Sequence, residues 1–146
     1  MSEQIDHDEN AVSIHVRRGD YLEPKYWKTT GCVCQLPYYL NAIAEMNKRI
    51  SQPSYYVFSD DIAWVKENLP LPKAFFIDWN KGTESWQDMM LMSRCRHHII
   101  CNSTFSWWGA WLNPSIDKTV IVPSRWFQYS ETPDIYPTGW IKVPVD

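Results

Sequence analysis

Short apolar runs alternate with segments of helical periodicity along this chain, and this alternation restricts its fold more than any other feature. The runs predict five strands, over residues 11–16, 54–58, 73–77, 97–101 and 119–122. Apolar spacing and helix-start signals predict four helices between them, over residues 36–50, 61–68, 83 or 85 to about 94, and 103–112. Strands that alternate with helices form βαβ units. The sequence therefore predicts an α/β fold, a Rossmann-like doubly wound parallel sheet of about five strands.

The composition fits one domain. Of the 146 residues, 45% are hydrophobic and 21% are charged, which is typical of a globular chain with a buried core. Residues 1–10 are acidic and polar, and they predict a disordered leader rather than a signal peptide. Residues 123–146 are rich in proline and predict an irregular C-terminal tail. We therefore expect a single domain over residues 1–146.

The charge of the chain argues against a broad basic face. The formal net charge is -3 at pH 7, which disfavours non-specific binding to nucleic acid. The sequence has no apolar run near the roughly 20 residues that span a bilayer. Any site for an anion is therefore expected to be local.

The cysteines favour reduced thiols over a metal site. They are Cys32, Cys34, Cys95 and Cys101. The Cys32-Val-Cys34 pair lacks the usual spacing of zinc ligands, and no second pair completes a site. We expect free thiols in a reducing compartment and no metal cofactor.

Polar clusters follow four of the predicted strands directly. They lie at residues 15–20, 59–61, 78–80 and 102–106. In open parallel sheets, ligands bind beyond the carboxyl ends of the strands. We therefore expect these clusters to gather along one edge of the sheet and to form a binding site there.

The first cluster holds two adjacent arginines, Arg17 and Arg18. The planar guanidinium group pairs with phosphate oxygens in bidentate fashion, so a diphosphate is the expected ligand. Adjacent side chains of an extended chain point to opposite sides. We expect one arginine to meet the phosphates and the other to pair with Asp20. Two surface arginines paired with nearby acids are the alternative. His15 is expected to bind a ribose or phosphate oxygen, or else to be a core histidine.

The last cluster, Asn102-Ser-Thr-Phe-Ser106, joins a strand to a helix. Free backbone N–H groups and the helix dipole favour an anion at such a point, and the hydroxyls of Ser103, Thr104 and Ser106 add donors. Simple N-capping by Asn102 or Ser103 is the alternative.

Three acidic positions have alternative interpretations. The carboxylate of Asp88 can accept from N1–H and the exocyclic amine of guanine, or it can complete a capping box with Ser85. Asp78 is a second candidate for guanine, or for a ribose hydroxyl. For Asp60-Asp61, helix capping is preferred over a metal-binding pair, because basic residues already serve the expected phosphate site.

Three ordered motifs resemble a known family. They are His15-Val-Arg-Arg-Gly-Asp-Tyr21, Phe58-Ser-Asp-Asp61 and Asn102-Ser-Thr-Phe-Ser-Trp-Trp108. Together they resemble the α-1,2-fucosyltransferases of glycosyltransferase family 11, from about residue 12 to residue 122. The resemblance implies the Rossmann-like C-terminal half of a GT-B fold and a GDP-β-L-fucose donor. It also implies inverting transfer of fucose to the 2-hydroxyl of a galactoside acceptor, without a metal.

The resemblance also implies roles for individual residues. His15, Arg17 and Arg18 match the motif that grips the diphosphate, with one arginine assisting departure of GDP, and Asp20 matches its structural acid. Asp88 matches the acid that binds guanine. The segment around the β-phosphate and the base is matched by Ser103, Thr104, Phe105 and Ser106.

Full family members are about twice this length, with the arginine motif near the middle. The resemblance therefore implies that this chain is the C-terminal, donor-binding half, a truncated chain that lacks most of the acceptor side. Glu23 follows the arginine loop closely and is the expected general base. The alternatives are a non-catalytic GDP-sugar-binding module, a related α-1,6- or O-fucosyltransferase, and a carbohydrate-binding domain that uses exposed tryptophans. The expected location is the bacterial cytoplasm, with peripheral membrane association through a lipid-linked acceptor as an alternative.

Overall fold

The computed structural model describes residues 1–78 and 82–146. Within these residues all the strands belong to one parallel sheet with the order β3-β2-β1-β4-β5-β6. The strands are β1 (Ala11–Val16), β2 (Ser54–Ser59), β3 (Ala74–Ile77), β4 (His97–Ile99), β5 (Val120–Pro123) and β6 (Ile141–Val143). The predicted α/β, Rossmann-like parallel sheet is confirmed.

Helices occupy the connections between the strands. They are α1 (Ser2–Asp6), α2 (Pro24–Tyr26), α3 (Leu36–Arg49), α4 (Ile62–Asn68), α5 (Ser85–Arg94) and α6 (Thr104–Trp111). The loop after β1 also contains a 3₁₀ turn, Asp20–Leu22, and a π-helical turn, Trp27–Gly31, and a further 3₁₀ turn, Gly82–Glu84, precedes α5.

The first strand lies at the centre of the sheet, and all six of its residues are buried. Its side chains alternate between the two faces, as the period of a strand requires. Val12, Ile14 and Val16 pack with α3 and α4 in one core cluster. Ala11 packs with α1 and α5 on the other side. Helices on both faces bury the sheet, which explains why its central strands read as apolar runs.

The first ten residues differ from the prediction of a disordered leader. Residues Ser2–Asp6 form α1, and its one apolar side chain, Ile5, is fully buried in the cluster that contains Leu91 and Met92. A five-residue helix with a single apolar residue has no periodicity for a sequence pattern to detect. Tertiary burial of Ile5 fixes the helix.

The tail is also more regular than predicted. Ile141–Val143 form β6, which pairs in parallel with β5 and places Ile141 beside Ile121. Val143 is buried, whereas Lys142 between the two apolar residues is exposed. A three-residue strand among prolines gives too short an alternation to be recognised in the sequence. The rest of residues 123–146 is irregular, as predicted.

Candidate functional site

A cavity of about 530 Å³ opens at the carboxyl ends of β1, β2 and β3. The three strands and the first turns of α5 and α6 supply its walls. Its lining residues are His15, Arg17, Phe58, Ser59, Asp60, Ile77, Asp78, Ser85, Asp88 and Phe105. The predicted clusters at 15–20, 59–61, 78–80 and 102–106 each contribute at least one of these residues. Residues 79 and 80 of the third cluster lie outside the described residues.

Arg17 lines the cavity and is held in place by Asp20. Its Nε and Nη2 donate to the Asp20 carboxylate, and the shortest distance is 2.9 Å from Nη2 to Oδ2. The guanidinium carbon also lies 4.7 Å from the centre of the Tyr21 ring. The pair with Asp20 raises the pKa of Arg17 and lowers that of the carboxyl, although burial of Arg17 opposes its shift. The Nη1 atom lies outside this pair.

Arg18 points away from the cavity. Its guanidinium carbon lies 4.2 Å from the Trp64 ring centre, and its Nε is 3.3 Å from Asp61 Oδ2. The two arginines therefore diverge, as expected for adjacent residues. The sequence predicts that different arginines face the binding site and pair with Asp20. The structure differs, because Arg17 both lines the cavity and pairs with Asp20, which the turn at 20–22 folds back toward it.

The backbone of the arginine loop lies against the end of β2. The backbone N–H of Arg18 donates to Asp60 Oδ1 at 2.9 Å. A Cβ atom at Gly19 would lie 2.5 Å from Asp60 Oδ2, so a larger residue there would require the Asp60 side chain to shift. Asp61 Oδ1 accepts from the backbone N–H of Trp64 and caps α4, which confirms the capping prediction for Asp61.

His15 is buried at the base of the cavity and is uncharged. Burial, assisted by the nearby Arg17, lowers its pKa to about 3. Its Nδ1 lies 3.4 Å from the sulfur of Cys101, and its ring packs at a tilt against Phe105, with 5.5 Å between centres. The histidine is thus buried, as the core alternative predicts, and it also lines the cavity.

The N-terminus of α6 lacks the side-chain cap that the alternative interpretation of this segment requires. Ser103 occupies the N-cap position without capping the helix, and its buried Oγ has no partner within the described residues. Asn102 donates instead to the carbonyls of Thr30 and Trp126. The capping alternative for Asn102 and Ser103 is therefore wrong, because neither Asn102 Oδ1 nor Ser103 Oγ accepts a hydrogen bond from the described residues, and Nδ2 of Asn102 holds two loops instead.

The remaining residues of this segment point in different directions. Phe105 lines the cavity, whereas Ser103, Thr104 and Ser106 do not belong to its lining within the described residues. Thr104 is exposed. Ser106 is buried and donates to the carbonyl of Ser103. The contribution of Ser103, Thr104 and Ser106 to donor binding stays a prediction.

Asp88 lies on the first turn of α5 and lines the cavity with Ser85. The predicted capping box is wrong, because α5 begins at Ser85 and its N-cap is Glu84. Asp78 follows β3 and also lines the cavity. Since β3 lies two strands from β1, Asp78 is roughly 10 Å across the sheet from the end of β1.

Glu23 lies elsewhere. Its side chain is exposed at the start of α2, and it does not belong to the cavity lining within the described residues. Its proposed role as general base stays a prediction.

Sequence reasoning did not assign a ligand contact to several lining residues. Ser59 and Asp60 were expected at this edge, but only as part of a capping segment. Phe58 and Ile77 are apolar residues at the ends of buried strands. Phe58 begins one of the three family motifs, but neither residue was expected to contact a ligand. The contact between Cys101 and His15 joins residues 86 positions apart and had no sequence signal either.

The charges of the cavity are divided. Arg17 and the N-terminus of α6 supply positive potential at the end of β1, where Asp60 lies against the arginine loop, while Asp78 and Asp88 supply carboxylates from β3 and α5. An elongated ligand with an anionic part and a part rich in N–H and O–H donors suits this division.

Among the described residues no cluster of three or more histidine, cysteine or acidic side chains could hold a metal ion, and no helix is long and apolar enough to cross a membrane. All four cysteines are free thiols.

Comparison with known proteins gives the family. Residues 1–144 match glycosyl transferase family 11. The chain belongs to glycosyltransferase family 11. The predicted resemblance is confirmed.

Relatives of this family-11 chain include bacterial and animal proteins. The chain is 36% identical over 135 residues to the O-antigen biosynthesis glycosyltransferase WbnK of Escherichia coli, covering 92% of this chain and 45% of that protein. It is 36% identical over 138 residues to an alpha-1,2-colitosyltransferase of Escherichia coli, covering 92% and 48%. It is 35% identical over 105 residues to galactoside alpha-(1,2)-fucosyltransferase 1 of Saimiri boliviensis boliviensis, covering 69% and 28%. The chain spans about half the length of the bacterial relatives, or less of the animal one.

Proposed function

We propose that the cavity at the ends of β1, β2 and β3 binds GDP-β-L-fucose, and that the chain is the donor-binding part of an inverting fucosyltransferase. Fucose would pass to the 2-hydroxyl of a galactoside. The division of charge across the cavity supports this most: Arg17 lies at one part and the carboxylates of Asp78 and Asp88 at another. A nucleoside diphosphate carries both an anion and a base with N–H donors.

The diphosphate is assigned to the side of β1. Arg17 is pre-oriented by Asp20 and retains Nη1 for a phosphate oxygen. At the start of α6 the backbone N–H groups of Thr104, Phe105 and Ser106 have no acceptor within the helix, whereas that of Ser103 donates to the Cys101 carbonyl, and the dipole there favours an anion. His15 adds an uncharged group between them. These groups are fixed before the ligand arrives, so they can stabilise charge without reorganising.

The base is assigned to the carboxylate side. Guanine presents N1–H and the exocyclic amine as adjacent donors, and a carboxylate can accept from both. Asp88 is the first candidate for this contact, and Asp78 is the candidate for guanine or a ribose hydroxyl.

Transfer with inversion requires attack by the acceptor hydroxyl from the face opposite the leaving GDP. Negative charge then grows on the diphosphate, and Arg17 with the start of α6 would stabilise it. These groups supply positive charge at the leaving group, so we propose that no metal is required. Addition of a chelator is then expected to leave transfer unchanged.

The sugar is the part of the donor on which the relatives differ by name. One is called a colitosyltransferase and another a fucosyltransferase. The cavity lining supports the nucleotide portion of the donor, whereas the names of the relatives differ in the sugar. A cytoplasmic location is also proposed, because the free thiols suit a reducing compartment.

A thermal-shift series tests the proposal. The melting temperature is measured with GDP, GDP-fucose, UDP and ADP at equal concentrations. We expect GDP and GDP-fucose to raise it and UDP and ADP to leave it nearly unchanged. Equal shifts with all nucleotides would contradict the guanine assignment. Fucose transfer to lactose then separates an enzyme from a module that binds the donor without transferring it.

A further inference from the structure

A buried thiol contacts the histidine of the cavity. Cys101 lies just beyond β4, and His15 lies near the end of β1, the neighbouring strand in the sheet. The two strands pair with Ile14 beside Ile99, which brings both side chains to the same level. The distance from Cys101 Sγ to His15 Nδ1 is 3.4 Å. Cys101 is 1% exposed, so solvent does not compete for this contact.

Both members of the pair are neutral. Burial raises the pKa of Cys101 to about 11, and burial with the Arg17 charge lowers the pKa of His15 to about 3. The proton therefore stays on sulfur, and the imidazole carries one N–H. This N–H is either on Nδ1, where it would donate to sulfur, or on Nε2.

The surroundings of the sulfur decide between these tautomers. Burial raises the pKa of the thiol, and the neighbouring Ser106, Tyr39 and backbone N–H of Arg17 oppose that shift in part. The hydroxyls of Ser106 and Tyr39 each have a single proton, and each donates it to a backbone carbonyl at 3.3 Å. An unprotonated imidazole nitrogen is a better acceptor than such a hydroxyl. Nδ1 is also nearer to the sulfur than Ser106 Oγ, which lies 3.8 Å away.

The other ring nitrogen faces the cavity. His15 belongs to the cavity lining, and its Nε2 has no hydrogen-bond partner in residues 1–78 and 82–146. Which nitrogen of a histidine carries the proton is set by the hydrogen bond that the other nitrogen makes.

We propose that Cys101 donates its S–H to His15 Nδ1 and thereby fixes the Nε2–H tautomer, which presents an uncharged donor to an oxygen of the ligand's diphosphate. Cys101 is thus a positioning residue, and His15 is the group that touches the ligand. The tautomer is a property of the protein alone, whereas the contact with diphosphate rests on the proposed function.

Nitrogen-15 NMR of the full chain without ligand tests the assignment. The His15 ring signals are identified by their loss in His15→Asn. We expect Nε2 to be protonated and Nδ1 to be unprotonated at pH 7. The Cys101→Ser variant keeps a donor and is expected to keep this tautomer, whereas Cys101→Ala is expected to populate Nδ1–H. A protonated Nδ1 in the wild type, or an unchanged tautomer in Cys101→Ala, would overturn the proposal.

Calorimetry with GDP supplies the second readout. Loss of one oriented donor in Cys101→Ala is expected to weaken binding about two- to tenfold, and Cys101→Ser to restore it. Cys95→Ala is the matched control, because it also removes a buried thiol, one that donates to the Leu91 carbonyl at the opposite end of β4. If the wild type does not bind GDP, the proposed function fails, while the NMR result still decides the role of Cys101. If Cys101→Ala does not fold, the wild type and Cys101→Ser spectra decide it.

Discussion

Replacing Arg17 or Arg18 by alanine tests whether only Arg17 of this adjacent pair contributes to GDP binding. Arg17 lines the cavity, while Arg18 packs against Trp64 and pairs with Asp61. Two donors of Arg17 are engaged with Asp20, and Nη1 lies outside that pair. We therefore assign one charge-assisted hydrogen bond with phosphate to Arg17.

One such bond contributes about 1.5–3 kcal/mol, which corresponds to about 10- to 150-fold weaker binding of GDP in Arg17→Ala. The fold itself is expected to lose little. The Arg17 and Asp20 side chains are 34% and 42% exposed, and screened pairs of this kind contribute only about 0–1 kcal/mol. Calorimetric titration with GDP measures the affinity, and urea denaturation measures the stability.

Arg18→Ala is the matched control, because it removes the same side chain one position along. It is expected to change GDP affinity less than about threefold, since the guanidinium lies outside the cavity lining. Its unfolding free energy should fall by about 1 kcal/mol, through loss of the contact with Trp64. Equal loss of affinity in both variants, or none in Arg17→Ala, would refute the reasoning.

Three further predictions concern binding, capping and pH. Asp88→Asn replaces one acceptor oxygen of the carboxylate by an N–H donor. GDP affinity, measured by calorimetry, should fall about tenfold or more, and the preference for GDP over ADP should be lost. A preserved preference for GDP would exclude Asp88 as the guanine contact. Asp61→Ala removes the cap of α4 and should lower the unfolding free energy by about 0.5–2 kcal/mol in urea, and an unchanged midpoint would contradict the capping role. Burial of the ring, assisted by the nearby Lys118 and His97, lowers the pKa of His98 to about 3 in the fold. The unfolded state therefore binds more protons below about pH 6.5, and stability should fall as the pH drops from 6.5 toward 3. In His98→Asn the unfolding free energy should fall less steeply with decreasing pH than in the wild type. Equal slopes in the two proteins would show that His98 is not the cause of the pH dependence.

The sheet could be predicted because its central strands are continuous apolar runs in the sequence. β1 is buried on both faces, so its apolar run is continuous, and the predicted bounds 11–16 match the observed Ala11–Val16. Prediction failed where a short element is fixed by distant contacts. α1 depends on burial of Ile5 and β6 on pairing with β5, and neither contact leaves a periodic pattern.

The sequence predicted where the candidate site lies, but not which arginine faces the cavity and pairs with Asp20. The carboxyl ends of parallel strands meet at one edge, so His15, Arg17 and Asp78 could be brought together from the sequence, whereas Asp88 was predicted from its match to guanine and from the family resemblance. Which arginine faces inward depends on the turn at residues 20–22, and local spacing does not encode that.

The central claim is that the ends of β1 and β3 and the starts of α5 and α6 form one site for a guanosine diphosphate. Titration of the labelled chain with GDP, followed by amide NMR, tests it most directly. We predict saturable shifts at residues 15–19, 85–88 and 103–106, and none at the exposed patch of Leu22, Trp27 and Lys28. Absence of binding, or shifts centred on that patch, would contradict the account.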